Sequence, residues 1–352
     1  MESALRWASE GLFPLLLVLA SVATVWRTSR RARVDVVALA AFVGACFGLS
    51  FLIGTGVFNR ARLLSWALFV HLPICLSACA FVLRRRRAGG GAAVLGVGAA
   101  VVVVIGIDAF FIEPRWLTVS HVVLPSKKVS GALRLALVAD LQFDDFGDAE
   151  REVLRRTLAE RPDVVLFAGD YVQAAPAQRR EAGRAFNAFL REIDFRAPSG
   201  VFAVGGNVDA VGWTELFDGI DAHVFDATHT VVGDRVAITG LSISESFSSS
   251  VRVGPTERFH VVLGHAPDFA LGSIDADLLV AGHTHGGQVQ LPLIGPLFTF
   301  SKVPRSWASG VTKLTGDRTL VVSRGTGMER GQAPRLRFNC RPEIVLIDLV
   351  AE

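Results

Sequence analysis

The first 112 residues contain four long apolar stretches, and no other feature of the sequence constrains the fold as strongly. A helix needs about 20 apolar residues to cross the hydrocarbon core of a bilayer, and each stretch approaches that length. The whole chain of 352 residues is 51% hydrophobic, and the excess over an ordinary soluble protein lies in this region. We therefore predict an integral, multi-pass membrane protein with a transmembrane region at 1–112 and helices at about 11–26, 34–58, 63–83 and 92–112.

The arginines between these stretches indicate the orientation of the chain. Runs of arginine follow the first and third stretches, whereas only Arg60 and Arg62 follow the second. Arginine-rich short loops remain in the cytoplasm. We therefore expect the first and third loops inside the cell and the C-terminal region on the extracytoplasmic side, provided that all four stretches cross the membrane.

After residue 112 the composition changes to that of a globular domain. We expect a polar linker over 113–132, and from residue 133 short β-branched runs alternate with helix-like stretches, which predicts a layered α/β domain over 133–352. The arginines form short runs and no basic face, so the net charge of +3 predicts no nucleic-acid partner. The predicted strands are 133–139, 163–168, 200–204, 235–241, 260–263, 277–281 and 343–349, and the predicted helices are 149–160 and 177–193.

Polar side chains follow five of the predicted strands directly. In open α/β sheets, ligands bind outside the carboxyl ends of the strands, so we expect five loops to converge on one site. The side chains offer oxygen and imidazole donors, which suit manganese, iron or zinc better than a thiolate site does. A shared carboxylate can hold two cations about 3.5–4 Å apart to bind a phosphoryl group and activate a water, and Asp170 is the candidate for it. The candidate residues are Asp140, Gln142, Asp170, Asn207, Asp209, His265, His283 and His285.

The five motifs together resemble the calcineurin-like metallophosphoesterases. The pattern of that family is Asp-x-His, Gly-Asp, Gly-Asn-His-Asp/Glu, a lone His, and Gly-His-x-His. The corresponding segments here are 140–142, 169–170, 206–209, 264–265 and 282–285. The stretch 283–288, followed by 291–296 and later by 340–343, is similar to the membrane-associated bacterial phosphodiesterase branch in particular.

The resemblance implies a four-layer α-β-β-α fold and two divalent metal ions that activate a water for attack on phosphorus. It implies catalytic roles for Asp140, Asp170, Asn207 and His265, whereas Asp209 is expected to orient a ligand. One metal ion would be bound by Asp140, Gln142, Asp170 and His285, and a second by Asp170, Asn207, His265 and His283.

Two positions depart from the family pattern. Gln142 stands where the family has a histidine ligand, and an amide oxygen is a weaker donor than imidazole. Val208 stands where many relatives have a histidine that assists the leaving group, and such assistance is worth about 10²–10⁴-fold. This substitution favours a good leaving group, as in a pyrophosphate or an activated diester. It also resembles the UDP-diacylglucosamine pyrophosphohydrolases, which suggests a lipid-linked substrate.

The two departures leave a second interpretation open. The chain could be a catalytically weakened sensor or scaffold that retains the fold and one metal ion while it signals through the membrane region. The number of metal ions bound per chain would distinguish this alternative from the enzyme. The sequence makes no prediction about the oligomeric state.

Overall fold

The computed structural model describes residues 8–352, which divide into two compact units. One unit comprises the chain up to Phe110 together with Gln332–Arg335, and the other comprises Phe111–Gly331 and Leu336–Glu352. The first unit contains four helices that are long and apolar enough to cross a membrane: α1 (Glu10–Arg31), α2 (Val36–Ile53), α3 (Val57–Arg85) and α4 (Gly89–Arg115, which continues into the second unit).

These four helices present most of their apolar surface outwards. Only 22–28% of the residues in each apolar window are buried inside the protein. The buried residues, among them Phe13, Leu17, Phe42 and Leu63, form one cluster between the helices. A helix that is apolar all round and buried on one side only fits a lipid environment. The four predicted apolar helices are therefore confirmed, and they associate the chain with a membrane.

The helix boundaries follow local signals that refine the predicted ones. The side chain of Asp35 accepts a hydrogen bond from the Ala38 backbone N–H at 3.1 Å and thereby caps the start of α2. Arg27 and Arg31 of α1 lie 3.2 and 3.4 Å from the same carboxylate. The second stretch was predicted to reach residue 58, but α2 ends at Ile53 because Gly54 has extended backbone angles.

The second unit contains two six-stranded sheets, each with a run of four parallel strands, which ends at the edge strand β5 in the first sheet and is central in the second. The first sheet has the order β1-β16-β2-β3-β4-β5 and the second β14-β15-β11-β9-β7-β6. The sixteen strands are β1 (Thr118–Ser126), β2 (Leu133–Val138), β3 (Val164–Phe167), β4 (Val201–Val204), β5 (Ala222–Phe225), β6 (His229–Val232), β7 (Val236–Gly240), β8 (Arg252–Val253), β9 (Phe259–Leu263), β10 (Ser273–Ile274), β11 (Leu278–Ala281), β12 (Gln290–Leu291), β13 (Gly295–Pro296), β14 (Gly310–Lys313), β15 (Thr319–Val322) and β16 (Glu343–Ala351).

The two sheets pack face to face and are covered on the outside by helices. Alternate residues such as Leu135 of β2 and Val261 of β9 form the core between the sheets. On the outer face of the first sheet, α5 (Asp148–Ala159) and α6 (Pro176–Glu192) pack against residues such as Phe167. The outer layer of the second sheet is thinner, with α7 (Ile243–Ser246) and a 3₁₀ turn at Pro267–Leu271. The predicted α/β sandwich after four helices is confirmed.

Several segments differ from expectation, and strands β5, β6, β14 and β15 of the two large sheets lie outside the predicted strands. Part of the expected linker forms β1, which pairs in parallel with β16 from Thr118↔Glu343 to Ser126↔Ala351. This edge strand has mostly part-exposed side chains, so its sequence lacks the apolar run of a buried strand. The short helix α7 also lies outside the two predicted helices of this domain; it begins at Ile243, and the Ser242 hydroxyl accepts a hydrogen bond from the Glu245 backbone N–H at its start.

The sheet topology brings distant loops to one edge. The carboxyl ends of β2, β3 and β4 in the first sheet, and of β9 and β11 in the second, each lead directly into one of the predicted motifs. Because these strands are parallel within each sheet, their carboxyl ends lie side by side. The fold therefore gathers the candidate residues at one place before any side-chain contact is considered.

Candidate metal centre

Two groups of ligand atoms, from buried residues and the half-buried His283, lie side by side at this edge. Asp140, Asp170 and His285 form one group, and Asp170, His265 and His283 form the other. In each group the ligand atoms lie within 4.8 Å of one another. Asp170 belongs to both groups, which is the arrangement that a bridging carboxylate requires.

The backbone at these residues adopts an uncommon conformation. Asp140, Asp170, His283 and His285 have φ angles of +51°, +58°, +68° and +49°, and Gln142 has +40°. Left-handed backbone is rare for residues with side chains and costs about 1–3 kcal/mol at each position. It turns each side chain inwards immediately after its strand ends. Such clustering of strained residues is typical of a functional site.

Close backbone contacts lock the loops together. The Asp140 and Gln142 backbone N–H groups donate to the carbonyls of Gly169 and Asp170 at 3.1 and 2.9 Å. Gly206 approaches so closely that a Cβ atom there would lie 2.3 Å from the Asp170 backbone nitrogen. Only glycine allows this approach, which is the physical reason for glycine next to Asn207.

Asp209 holds two of the loops in register. Its carboxylate accepts hydrogen bonds from the backbone N–H groups of Gly206, Asp170 and Tyr171, each at 2.8 Å. No ligand group includes Asp209. Its contacts therefore suit the predicted orienting role, because they fix the position of the Asp170 backbone.

Hydrogen bonds also fix the orientation of two histidines. His265 Nδ1 lies 2.7 Å from the Ala168 carbonyl oxygen, so this nitrogen carries the proton and Nε2 is left as an acceptor. Nε2 faces the Asn207 Oδ1 atom at 2.9 Å and the Asp170 Oδ1 atom at 3.4 Å. The backbone N–H of His283 donates to both carboxylate oxygens of Asp140 at 3.0 Å. Three acceptor atoms thus point at one another, which favours a cation between them.

Unpaired buried atoms provide an independent test of metal binding. Both ring nitrogens of His285 and the Oε1 atom of Gln142 are buried and have no hydrogen-bond partner in the structure. Unpaired buried acceptors are costly, and native proteins rarely retain them without a ligand. Imidazole nitrogen, amide oxygen and carboxylate oxygen are all donors to divalent cations. The residues present therefore fit a divalent metal centre.

Burial raises the pKa values of the two carboxyl groups at the site and lowers those of two of its histidines. Burial raises the pKa of Asp140 well above its usual value, and the neighbouring Asp170 carboxylate raises it further. Burial raises the pKa of Asp170 to about 7. Burial lowers the pKa of His265 and of His283 to about 4, so both rings are neutral at pH 7. Neutral imidazoles can bind a cation, and a cation would neutralise the carboxylates.

Glu329 is a site residue that the motif analysis missed. Its Oε2 atom accepts a hydrogen bond from Gln142 Nε2 at 3.3 Å, and the same amide nitrogen donates to Asp170 Oδ2 at 3.3 Å. Gln173 Nε2 donates to Glu329 Oε1 at 2.6 Å and orients the carboxylate. The neutral Gln142 thus stands between two acidic groups. No motif surrounds Glu329, and only its acidic character beside the Gly325–Gly327 turn could have drawn attention to it.

Arg337 supports the site through hydrogen bonds to backbone carbonyl groups. Its side chain is fully buried, and it donates to the carbonyls of Arg324, Gly325 and Cys340. The turn that it holds lies against Asp140, because the Gly327 N–H donates to the Asp140 carbonyl at 2.7 Å. Arg324 itself pairs with Glu343 at 2.7 Å.

Val208 contributes only its backbone. The Val208 N–H donates to Asp170 Oδ1 at 2.9 Å, while its aliphatic side chain can neither give nor accept a proton. The neighbouring Asn207 is exposed, so this loop forms the part of the centre that is open to solvent. The departure from histidine therefore lies on the accessible side of the centre.

We expect the stabilisation by a divalent cation to grow as the pH rises from about 4 to about 7 and to level off above that pH. The folded-state pKa of Asp170, about 7, exceeds the ordinary value of 3.8, so ionisation of this carboxylate costs stability as the pH rises from the ordinary pKa to the folded one. A cation offsets that cost, but at low pH it must first displace a proton. The difference in Tm between Mn²⁺-loaded and EDTA-treated full-length protein measures the effect. A difference that is independent of pH would contradict this assignment, and Asp170→Asn should show no Mn²⁺-dependent difference.

The Glu329→Gln variant should bind divalent cations more weakly. The substitution preserves the size of the side chain but removes one negative charge beside Gln142, and loss of an outer partner at a metal site costs about 10–100-fold in affinity. We expect the Kd for Mn²⁺, measured by isothermal titration calorimetry on the full chain, to rise about tenfold. Glu257→Gln, at an exposed glutamate, is the matched control and should leave the Kd unchanged. Equal Kd values for wild type and Glu329→Gln would remove Glu329 from the site.

Comparisons with known proteins agree with this geometry. The calcineurin-like phosphoesterase family model matches residues 133–287, which contain every candidate ligand. The phosphodiesterase YaeI of Escherichia coli is 27% identical over 256 residues, which cover 68% of this chain and 91% of YaeI. The uncharacterised metallophosphoesterase YkuE of Bacillus subtilis is 27% identical over 263 residues, which cover 68% of this chain and 88% of YkuE.

Among solved structures, Yfce, a phosphoesterase from E. coli, shares 16% sequence identity, with a TM-score of 0.32. The match covers 58% of this chain and 85% of Yfce. The family match and the two curated relatives, which this chain covers almost end to end, identify the reaction class as phosphoester hydrolysis. Residues 133–287 thus form a metallophosphoesterase domain of the calcineurin-like superfamily, a phosphoesterase hydrolase domain that follows four apolar helices.

Proposed function

We propose that this protein hydrolyses a phosphodiester or pyrophosphate bond in a lipid-linked substrate, with two divalent cations in the centre described above. The observation that carries the proposal is that two groups of ligand atoms share the Asp170 carboxylate. A single cation would leave one of these groups without a partner. Two adjacent cations, when bound, would stabilise the attacking and the leaving oxygen atoms of an in-line phosphoryl transfer.

The ligands divide between two cations. Asp140, Gln142, Asp170 and His285 would hold one ion, and the unpaired atoms of Gln142 and His285 support this assignment. The second ion would be held by Asp170, Asn207, His265 and His283, whose acceptor atoms already face one another. The mixture of oxygen and nitrogen donors suits manganese, iron or zinc.

Neither His265 nor Val208 can donate a proton to the leaving group of the substrate. His265 Nδ1 is committed to the Ala168 carbonyl, and Nε2 faces the centre, so this ring has no free position from which to shuttle a proton. Val208 offers no proton to a departing oxygen. This favours a leaving group that is stable as an anion, such as the phosphate released from a pyrophosphate or the phenoxide released from an activated diester.

Three observations support a lipid-linked substrate. The four apolar helices keep the chain at a bilayer, where a lipid-linked phosphate is abundant and close. The absence of an acid at Val208 favours a pyrophosphate or diester over a simple alkyl monoester. YaeI, which this chain covers over 91% of its length, is named a phosphodiesterase. In this proposal residues 1–112 anchor the protein and residues 133–352, together with β1, form the catalytic domain.

The Asp170→Asn variant tests the proposed centre. It removes the charge that two cations would share, so we expect the metal content to fall from two ions per chain and hydrolysis to fall by more than about 100-fold, since outer partners alone cost 10–100-fold. Elemental analysis and hydrolysis of bis-p-nitrophenyl phosphate with Mn²⁺ provide the two measurements. Asp145→Asn, at an exposed aspartate of a neighbouring loop, is the control and should change neither.

The same measurements separate the enzyme from the sensor or scaffold. Two ions per wild-type chain with turnover supports hydrolysis. One ion per chain, with no turnover of a diester or a pyrophosphate under any divalent ion, would favour the binding protein. Gln142 and Val208 are the residues that motivate this alternative.

We also propose that the catalytic domain lies outside the cytoplasm. The arginine-rich connections follow α1 and α3, and an even number of crossings returns the C-terminal unit to the side of the N-terminus. Alkaline phosphatase, which is active only outside the bacterial cytoplasm, should therefore be active when fused after Glu352. An active green fluorescent protein fusion at the same residue, with an inactive phosphatase fusion, would place the domain inside.

A further inference from the structure

A hairpin next to the metal centre exposes an unusual amount of apolar surface. The hairpin consists of β12, β13 and the residues that follow, and we call residues 290–300 the apolar hairpin. Leu293 at its tip is 108% exposed and Ile294 is 62% exposed. Leu297, Phe298 and Phe300 are also exposed, by 41–55%. Single exposed apolar residues are common, but five within eight positions mark an interaction surface.

The apolar hairpin is joined firmly to the metal centre. His283 Nε2 lies 3.1 Å from the carbonyl oxygen of Phe300. Gly287 has a φ of +78°, and a Cβ atom there would lie 2.4 Å from Pro296 Cβ, so the hairpin lies directly against the turn that carries His285. The Phe298 and Phe300 rings stack at 6.1 Å. Whatever surface the hairpin contacts is therefore held beside the candidate ligands.

The charge around the hairpin matches an anionic surface. No aspartate or glutamate occurs in the sequence from Leu278 to Gly316, whereas Lys302 and Arg305 follow the hairpin directly. Both cationic residues are exposed, and the acidic partner of Lys302 among the described residues is the buried carboxylate of Asp268, whose Oδ2 atom lies 4.0 Å from Lys302 Nζ. Exposed leucine, isoleucine and phenylalanine next to basic residues are typical of segments that lie in the interface of a bilayer. Basic residues near such a surface are attracted to anionic head groups.

The short connection between α4 and β1 favours a bilayer as the surface that the apolar hairpin contacts. The apolar helix α4 ends at Arg115, and β1 of the catalytic unit begins at Thr118, only two residues later. The catalytic unit is therefore tethered within reach of any bilayer that the helices cross. The basic flank at Lys302 and Arg305 would also be attracted to the anionic head groups of that bilayer.

We propose that the apolar hairpin inserts into the interfacial layer of the phospholipid bilayer and presents membrane-embedded substrate to the metal centre. Insertion of the hairpin into the bilayer does not depend on the proposed function. The second part rests on the proposed function, because it assigns the source of the phosphoester bond. The following experiments test the two parts separately.

Insertion is tested by fluorescence quenching with the full-length protein in nanodiscs that contain brominated phospholipids. Leu293→Trp places a reporter at the tip, and its emission is obtained as the difference from wild type. We expect quenching by at least about half, since bromine quenches tryptophan at short range within the interface. Val232→Trp is the matched control, because Val232 is 65% exposed and lies in β6 opposite Ala237, away from the carboxyl ends of the strands.

Unquenched emission from Leu293→Trp in discs that hold one chain would overturn insertion. A change in emission that occurs only in discs with two chains would assign the surface to a second copy of the protein and would also overturn the proposal. Neither readout depends on catalysis, so both remain informative if the protein proves inactive on every phosphoester.

Delivery of substrate is tested by comparing two diesters. The double variant Leu293→Ser/Ile294→Ser should hydrolyse a phospholipid with a p-nitrophenyl phosphodiester head group about tenfold more slowly in nanodiscs, and soluble bis-p-nitrophenyl phosphate at the wild-type rate. Val232→Ser should affect neither rate. Equal losses on both diesters, or no loss on the lipid, would overturn the role in delivery. Failure of the wild type on both diesters would instead count against the proposed function, while the quenching result would stand.

Discussion

Mutual repulsion between two buried carboxylates determines the rest of the centre. Asp140 and Asp170 lie at the ends of adjacent parallel strands, and burial raises the pKa of each. Backbone N–H groups hold both in place, those of His283 and Val208 among them. Such an arrangement is stable with both groups ionised only when cations lie between them. The left-handed backbone, the close glycine and the carboxylate of Asp209 all maintain this unfavourable proximity.

The two departures from the family pattern, Gln142 and Val208, have different consequences at the centre. Where relatives have an imidazole, Gln142 leaves its Oε1 atom free and turns its amide group to Asp170 and Glu329. The carboxylate of Glu329 beside Gln142 adds negative charge, which attracts a cation to this side of the centre. The Val208 side chain offers no proton, so in the proposed function the leaving group of the substrate would depart without help from this position. These two residues therefore bear on metal binding and substrate choice respectively.

Most of the fold was predictable, because its signals are local. Strands such as β3 and β11 are continuous apolar runs bounded by glycine, and helices such as α5 have regular apolar spacing. The edge strand β1 was missed because it is half-exposed and pairs with β16, which lies more than 200 residues away in the sequence. Glu329 was missed for a related reason. It meets Gln142 across 187 positions, and no local pattern marks such a contact.

The sequence alone determined the four apolar helices, the order of the strands along the chain and the kinds of atom that each loop carries, because periodicity and residue chemistry are local properties. The tertiary structure decided which atoms meet. It made Asp170 common to two groups of ligands and left the nitrogens of His285 without partners. It also exposed the apolar side chains around Leu293, which the sequence could equally have assigned to a core. Contact and exposure depend on how distant segments pack, and only the folded chain contains that information.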